Sequence, residues 1–183
     1  MVKEPRPGRV KTRLGADIGL VKSAWWFRHQ AGRLIRNLSD NPRWETILAV
    51  SPDMEGLASR NWPSNVGRMA QGKGCLGDRM ARVFRTFSAG PVVIIGADIP
   101  GITPGHIGRA FRALGSHDAV FGPAFDGGYW LVGLKQTASI PKGIFKNVRW
   151  SSEFALADSE ASLSGYRIAR IDTLQDVDTA KDM

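Results

Sequence analysis

The chain has 183 residues, 43% of them hydrophobic and 23% charged, a balance that supports a core and excludes intrinsic disorder. Its uninterrupted apolar runs, Pro91–Ile95 and Leu131–Leu134, are strand-sized and exclude a helical membrane span, which needs roughly 18 residues. The single cysteine, Cys75, excludes an internal disulfide or a multi-cysteine metal site, and the first residues lack the apolar stretch of a secretion signal.

The formal net charge of +8 is unevenly spread. Residues 1–50 carry 10 Lys/Arg against 4 Asp/Glu, residues 51–150 carry 12 against 6, and residues 151–183 reverse the sign with 3 against 7. A basic front and an acidic tail suggest a polyanion-binding face with carboxylates set apart from it. Nucleic acid, nucleotide phosphates and an anionic membrane surface all meet that description. No recognition helix or RNA-binding aromatic signature is present, so nucleic acid ranks last. The expected location is the cytoplasm.

Strand and helix signals alternate along the chain, the pattern of an α/β domain. Residues 20, 24, 27, 31, 34 and 38 are apolar, which predicts a helix over Asp17–Leu38 with Arg28, Arg33 and Arg36 interspersed. Thr46–Val50 reads as a short buried strand, and Ser51–Gly74, rich in Pro, Ser, Asn and Gly, mostly as loop. Asp78–Phe87 is helical by its Met80, Val83, Phe84 and Phe87 face. Pro91–Gly96 is the clearest strand, its continuous apolar run fitting a sheet covered on both faces. Thr103-Pro104 opens a helix to about Leu114, by an N-cap followed by proline at the first helical position. Ala119–Phe121 and Tyr129–Leu134 are strands. Ser151 or Ser152 caps a helix ending near Leu163, with Glu153 suited to its dipole. Arg167–Ile171 is a last strand, and Asp178–Met183 starts a terminal helix. There is no internal repeat, so a single domain over residues 1–183 is expected.

Four groups of residues carry candidate chemistry. Lys3, Arg6, Arg9, Lys11 and Arg13 crowd the first thirteen positions around Gly8 and two prolines. Such a loop can gather amides and cations around a phosphate, although the Gly-Lys-Ser/Thr ending of a P-loop is absent; a solvated basic arm is the equal alternative. Asp98 stands at the carboxyl end of the clearest strand, where open α/β sheets bind ligands and a divalent cation finds a carboxylate. The alternative is an Asp capping the turn at Pro100-Gly101.

Mg²⁺ needs only one or two protein carboxylates, so one further acid suffices. The candidates are Asp126, Asp176 and Asp178. Asp126-Gly127-Gly128-Tyr129-Trp130 joins an acid to two flexible residues and two rings that can stack on a base or sugar. A tight hairpin turn with core aromatics explains the same residues slightly better. His29, His106 and His117 lack metal-ligand spacing, Cys75 has no activating His, and Ser151 and Ser152 lack a nucleophile-elbow context. Trp25-Trp26-Phe27 reads as core or as a subunit contact.

Six ordered segments (5–14, 71–80, 95–103, 121–133, 148–153 and 176–179) together resemble a known family. They run Pro-Arg-Pro-Gly-Arg-Val-Lys-Thr-Arg-Leu, Gln-Gly-Lys-Gly-Cys-Leu-Gly-Asp-Arg-Met, Ile-Gly-Ala-Asp-Ile-Pro-Gly-Ile-Thr, Phe-Gly-Pro-Ala-Phe-Asp-Gly-Gly-Tyr-Trp-Leu-Val-Gly, Val-Arg-Trp-Ser-Ser-Glu and Asp-Val-Asp-Thr. The chain is similar to the bacterial glycosyltransferase-like proteins of the radical-SAM/selenodomain-associated type. These belong to the nucleotide-diphospho-sugar transferase superfamily, with the GT-A fold. Nearly the whole chain takes part.

The resemblance implies a three-layer α/β/α sandwich with a mostly parallel, mixed sheet and a nucleotide at the strand ends. It implies Mg²⁺ or Mn²⁺ held by Asp98 and Asp178, with Asp176 the rival; Gly8, Arg9, Lys11 and Arg13 around the phosphates; and Asp126, Gly127, Gly128 and Tyr129 shaping the acceptor or sugar pocket, Asp126 being the candidate general base. Three departures stand out. Met1-Val2-Lys3 occupies the place of a full apolar first strand, so either a longer start or a shortened strand is expected. Cys75 replaces an expected acid. Ala97-Asp98 offers one acid where many glycosyltransferases have an Asp-x-Asp pair.

The expected activity is metal-dependent transfer from a nucleotide-activated donor, with glycosyl transfer from a nucleotide sugar to an unknown small-molecule acceptor ahead. Nucleotidyl transfer from an NTP with pyrophosphate release is the runner-up, and a non-catalytic nucleotide or polyanion binder is the alternative class. A homo-oligomer is compatible with all three.

Overall fold

A computed structural model of the protein describes residues 1–87, 90–135 and 140–182. They form two compact units. The first comprises Met1–Gln71, Gly96–Pro104 and Gln175–Met183, the second Gly72–Ile95 and Gly105–Leu174.

In the first unit, β1 (Val2–Lys3), α1 (Thr12–Ile18), α2 (Leu20–Ser39), β2 (Ile47–Ser51), α3 (Asp53–Leu57) and β3 (Gly67–Ala70) follow in order. The three strands form a parallel sheet in the order β1-β2-β3, with Val2 opposite Val50 and Leu48 opposite Arg68. Val2, Leu48 and Val50 from the strands and Ala24, Phe27, Ala31 and Ile35 from α2 make one core, joined by Val10, Trp62, Val66 and Ala97.

The helix expected from Asp17 begins at Thr12 and is broken at Gly19, whose φ of 94° ends α1 and starts α2. The stretch 51–74, expected as loop, contains α3 and β3. Arg68 organises it: its guanidinium donates to the carbonyls of Leu57, Ser59 and Trp62 at 3.0, 2.6 and 3.1 Å.

The second unit contains α4 (Leu76–Thr86), β4 (Val92–Ile95), α5 (Pro104–Ala113, its first residue excepted), β5 (Ala119–Pro123), β6 (Tyr129–Leu134), α6 (Ala155–Ala161) and β7 (Ile168–Arg170). Its sheet runs β4-β6-β5-β7, with β6 antiparallel to both neighbours and β7 parallel to β5. Phe84, Phe121, Trp130, Leu131, Leu134 and Leu163 are fully buried. The α/β fold is as expected; its strands are divided between one parallel sheet and one mixed sheet.

Helix α6 is shorter than the expected Ser151/Ser152–Leu163. Ser151 takes a positive φ of 59°, and the Ser152 hydroxyl accepts from Phe154 N in the preceding turn. In place of the expected terminal helix from Asp178, a 3₁₀ turn spans Ala180–Asp182; Met183 lies outside the described residues.

Candidate functional site

The first unit brings four of the expected site residues together. Each is fixed by buried neighbours in the sequence. Asp98 lies between Ala97 and Ile99, which are 8% and 5% exposed, so its carboxylate is turned away from the core. Lys11 lies between buried Val10 and Leu14 and adopts a left-handed backbone, φ 43° and ψ 50°, immediately before α1. Asp178 follows buried Val177.

The tail that carries Asp178 is tied down by a second acid. Asp182 Oδ2 accepts from the amides of Asp178 and Thr179 at 3.1 and 2.7 Å, and from Thr179 Oγ1 at 2.8 Å. Asp17 at the end of α1 accepts from Ala180 N at 3.0 Å. Sequence reasoning missed both Asp17 and Asp182. No motif in the sequence marks either one: Asp17 reaches the tail only through the fold, and Asp182 bonds residues three and four positions before it.

The result is a cation between two carboxylates. Lys11 Nζ donates to Asp98 Oδ2 at 2.7 Å and to Asp178 Oδ1 at 3.0 Å, and Arg13 Nη1 donates to Asp178 Oδ2 at 3.0 Å. The Lys11 side chain is 5% exposed and Arg13 is 72% exposed, so the charge gradient runs from a sheltered ammonium to open solvent. Burial is the largest influence on Lys11 and disfavours its charge. The charges and hydrogen bonds of Asp98 and Asp178 together outweigh it, and the ammonium is held above its ordinary range. Burial also pushes the α-amino group of Met1 down to about 6, with the Asp98 charge opposing.

Gly8 and Arg9 lie in the turn before Lys11. Gly8 takes a φ of 73° and Arg9 is exposed, its amide bonded to Arg6 O at 3.0 Å. Glu4, missed by the sequence reading, is buried just after β1. Its Oε1 accepts from Ser59 Oγ and Asn61 Nδ2 and so fastens the loop after α3 to the segment that leads from β1 to Lys11.

Asp126, Gly127, Gly128 and Tyr129 belong to the second unit, in the hairpin turn between β5 and β6. Asp126 Oδ1 accepts from Gly128 N at 2.9 Å, a turn-stabilising bond. Gly127 has a φ of 83°, and a Cβ there would lie 2.2 Å from the Glu153 carbonyl oxygen, so the glycine is required. Tyr129 packs edge-on against Phe121 and receives a hydrogen bond from Ser159 Oγ at 3.1 Å; burial drives its hydroxyl pKa upward. Cys75 is the exposed N-cap of α4, with its amide donated to Asp78.

The donor set of the first unit suits a hard divalent ion. Two carboxylates converge on one cationic point, and all the donors are oxygens. Among the described residues, no group of three or more His, Cys, Asp or Glu side chains is assembled as a metal cage. Mg²⁺ does not need one, because water and phosphate complete its shell.

A family model described as an uncharacterized protein conserved in bacteria, DUF2064, matches residues 34–152. The chain belongs to that family. The DUF2064 match takes in Asp98 and the 121–133 segment, while Lys11 and Asp178 lie outside it. A solved structure from Desulfovibrio desulfuricans G20, described as a putative nucleotide-diphospho-sugar transferase, is 28% identical. It superposes with a TM-score of 0.82 over 97% of this chain and 80% of its own. This DUF2064 chain therefore has the nucleotide-diphospho-sugar transferase fold. The bifunctional IspDF of Campylobacter jejuni is 13% identical with a TM-score of 0.58 over 86% of this chain and 45% of its own, a likeness of fold alone. No curated protein matches the chain in sequence. Among the described residues, no helix is long and apolar enough to cross a membrane.

Proposed function

We propose that the protein is a Mg²⁺- or Mn²⁺-dependent transferase using a nucleotide-activated donor, and within that class a glycosyltransferase taking a nucleotide-diphospho-sugar. The observation that carries this reading is the convergence of Asp98 and Asp178 on Lys11 Nζ. Asp98 and Asp178 would hold the ion, which when bound draws negative charge from a diphosphate leaving group. Lys11 and Arg13 would neutralise the remaining phosphate oxygens. Asp182 and Asp17 keep Asp178 in place. Asp126 is the candidate base for the acceptor hydroxyl; unchanged turnover in Asp126→Asn would remove it from that role.

A second reading is nucleotidyl transfer from an NTP. It is favoured by the single acid at Ala97-Asp98 beside a basic loop. Pyrophosphate release with an NTP, and none with a nucleotide sugar, separates the two.

The test is a thermal-shift titration of wild type and Asp98→Ala against NTPs and nucleotide sugars, with and without Mn²⁺. A metal-dependent rise in Tm with one nucleotide class, lost in Asp98→Ala, is expected and names the donor. No shift with any nucleotide would replace the reading with a non-catalytic relative of the fold.

A further inference from the structure

Helix α2 has two faces of different character. One carries Phe27, Leu34, Ile35 and Leu38, all buried. On the other, Val21 is 71% and Trp25 is 62% exposed, one helical turn apart. Lys22, Arg28, Arg33 and Arg36 are exposed on the same side, and no acidic residue occurs between Leu20 and Ser39. At 3.6 residues per turn the six side chains fall within about 140° of arc, over a helix roughly 30 Å long. The Trp25-Trp26-Phe27 cluster is thus split: Phe27 enters the core, Trp26 is half-buried against it, and Trp25 faces solvent.

Two details bear on what this face can meet. No cation of α2 has an ion-pair partner among the described residues, and with no acid on the helix all four are left to meet an external anion. The Trp25 indole is also held in place. His29 lies 3.9 Å from it, centroid to centroid, and His29 Nδ1 is 2.8 Å from the Trp25 carbonyl.

We propose that this face docks on an anionic phospholipid bilayer, with Val21 and Trp25 entering the interfacial layer and the four cations meeting headgroup phosphates. A nucleic-acid backbone would satisfy the cations but offers nothing to Val21. A second copy docked by the same face would set four cations against four, since a two-fold contact is self-complementary. A bilayer surface satisfies the charge and the apolar pair together. The inference is independent of the transferase reading.

The test is co-sedimentation with vesicles of phosphatidylcholine alone and of phosphatidylcholine mixed with phosphatidylglycerol. Wild type is compared with Val21→Ser/Trp25→Ser and with Arg28→Gln/Arg33→Gln/Arg36→Gln, each checked for an unchanged melt. Binding to the anionic vesicles only is expected. The charge variant should lose on the order of 100-fold in partition, about fivefold per cation, and the apolar variant about 10-fold. Wild-type binding by the apolar variant, or no preference for anionic vesicles, would overturn the proposal. Tighter binding to an oligonucleotide or to polyglutamate than to the vesicles would overturn it in favour of those partners.

Discussion

Lys11 Nζ lies 2.7 Å from Asp98 Oδ2, and the same ammonium donates to Asp178 Oδ1 at 3.0 Å. One sheltered cation therefore bridges two acids that are distant in sequence and close in space, and the exposed Arg13 adds to it at Asp178. Both acids are about one-third exposed, so solvent shares in that compensation.

Lys11→Met is expected to leave Asp98 without its cation and Asp178 with Arg13 alone, and to lower unfolding stability by about 1–3 kcal/mol at neutral pH, less than a fully buried pair would cost. Mn²⁺ should then raise the Tm of the variant more than that of wild type. The pH dependence has a fixed sign. The folded-state pKa of Lys11 is raised above 10.5, so the stabilisation is complete below that value and is lost as pH rises past it. Urea titrations of both proteins should show their difference shrinking at alkaline pH; a constant difference would count against the ion-pair account.

Asp182 acts through Asp178 and is a positioning residue. Asp182→Ala removes the acceptor of three hydrogen bonds that fix Asp178 and Thr179. Nucleotide affinity in the presence of Mn²⁺ should fall by about 10-fold, with partial rescue in Asp182→Asn, which keeps one acceptor oxygen. Calorimetric titration reads this directly. Equal affinities for wild type and Asp182→Ala would separate the final turn from the site.

The second unit carries a pH-sensitive pair. Arg149 donates from Nε and Nη2 to Asp158 at 2.8 and 2.9 Å and from its amide at 3.0 Å. The side-chain bonds first and the backbone bond next hold the Asp158 carboxyl down at about 2. The stabilisation is present above the ordinary value of 3.8 and fades as pH falls towards about 2. Melts of wild type and Asp158→Asn should differ at neutral pH and converge over that acidic window. Parallel curves would show that the pair is not what the substitution disturbs.

Much of the fold was legible because burial writes a period into the sequence. The run Val92–Ile95 gave its strand away by being apolar throughout, and Pro104 marked the start of α5. Strand β3 was not legible. Gly67-Arg68-Met69-Ala70 has no apolar alternation, and it is extended because it pairs with Ile47–Val50 while Arg68 gathers the carbonyls of the preceding loop. The early start of α1 was hidden by Gly15, a poor helix former that is needed there: a Cβ would lie 2.8 Å from Leu20 Cδ2 and 3.0 Å from Ser23 Oγ.

The sequence by itself determined the α/β class, the basic loop at Lys11 and Arg13, and an acid at the end of a buried strand, since each is a matter of local composition or spacing. Only the tertiary structure decided that Asp178 faces Lys11, that Asp182 and Asp17 hold it there, and that Trp25 stands in solvent beside a buried Phe27. Those outcomes depend on contacts between segments more than 160 positions apart and on which side of a helix meets the core. Neither is encoded in any single stretch of the chain.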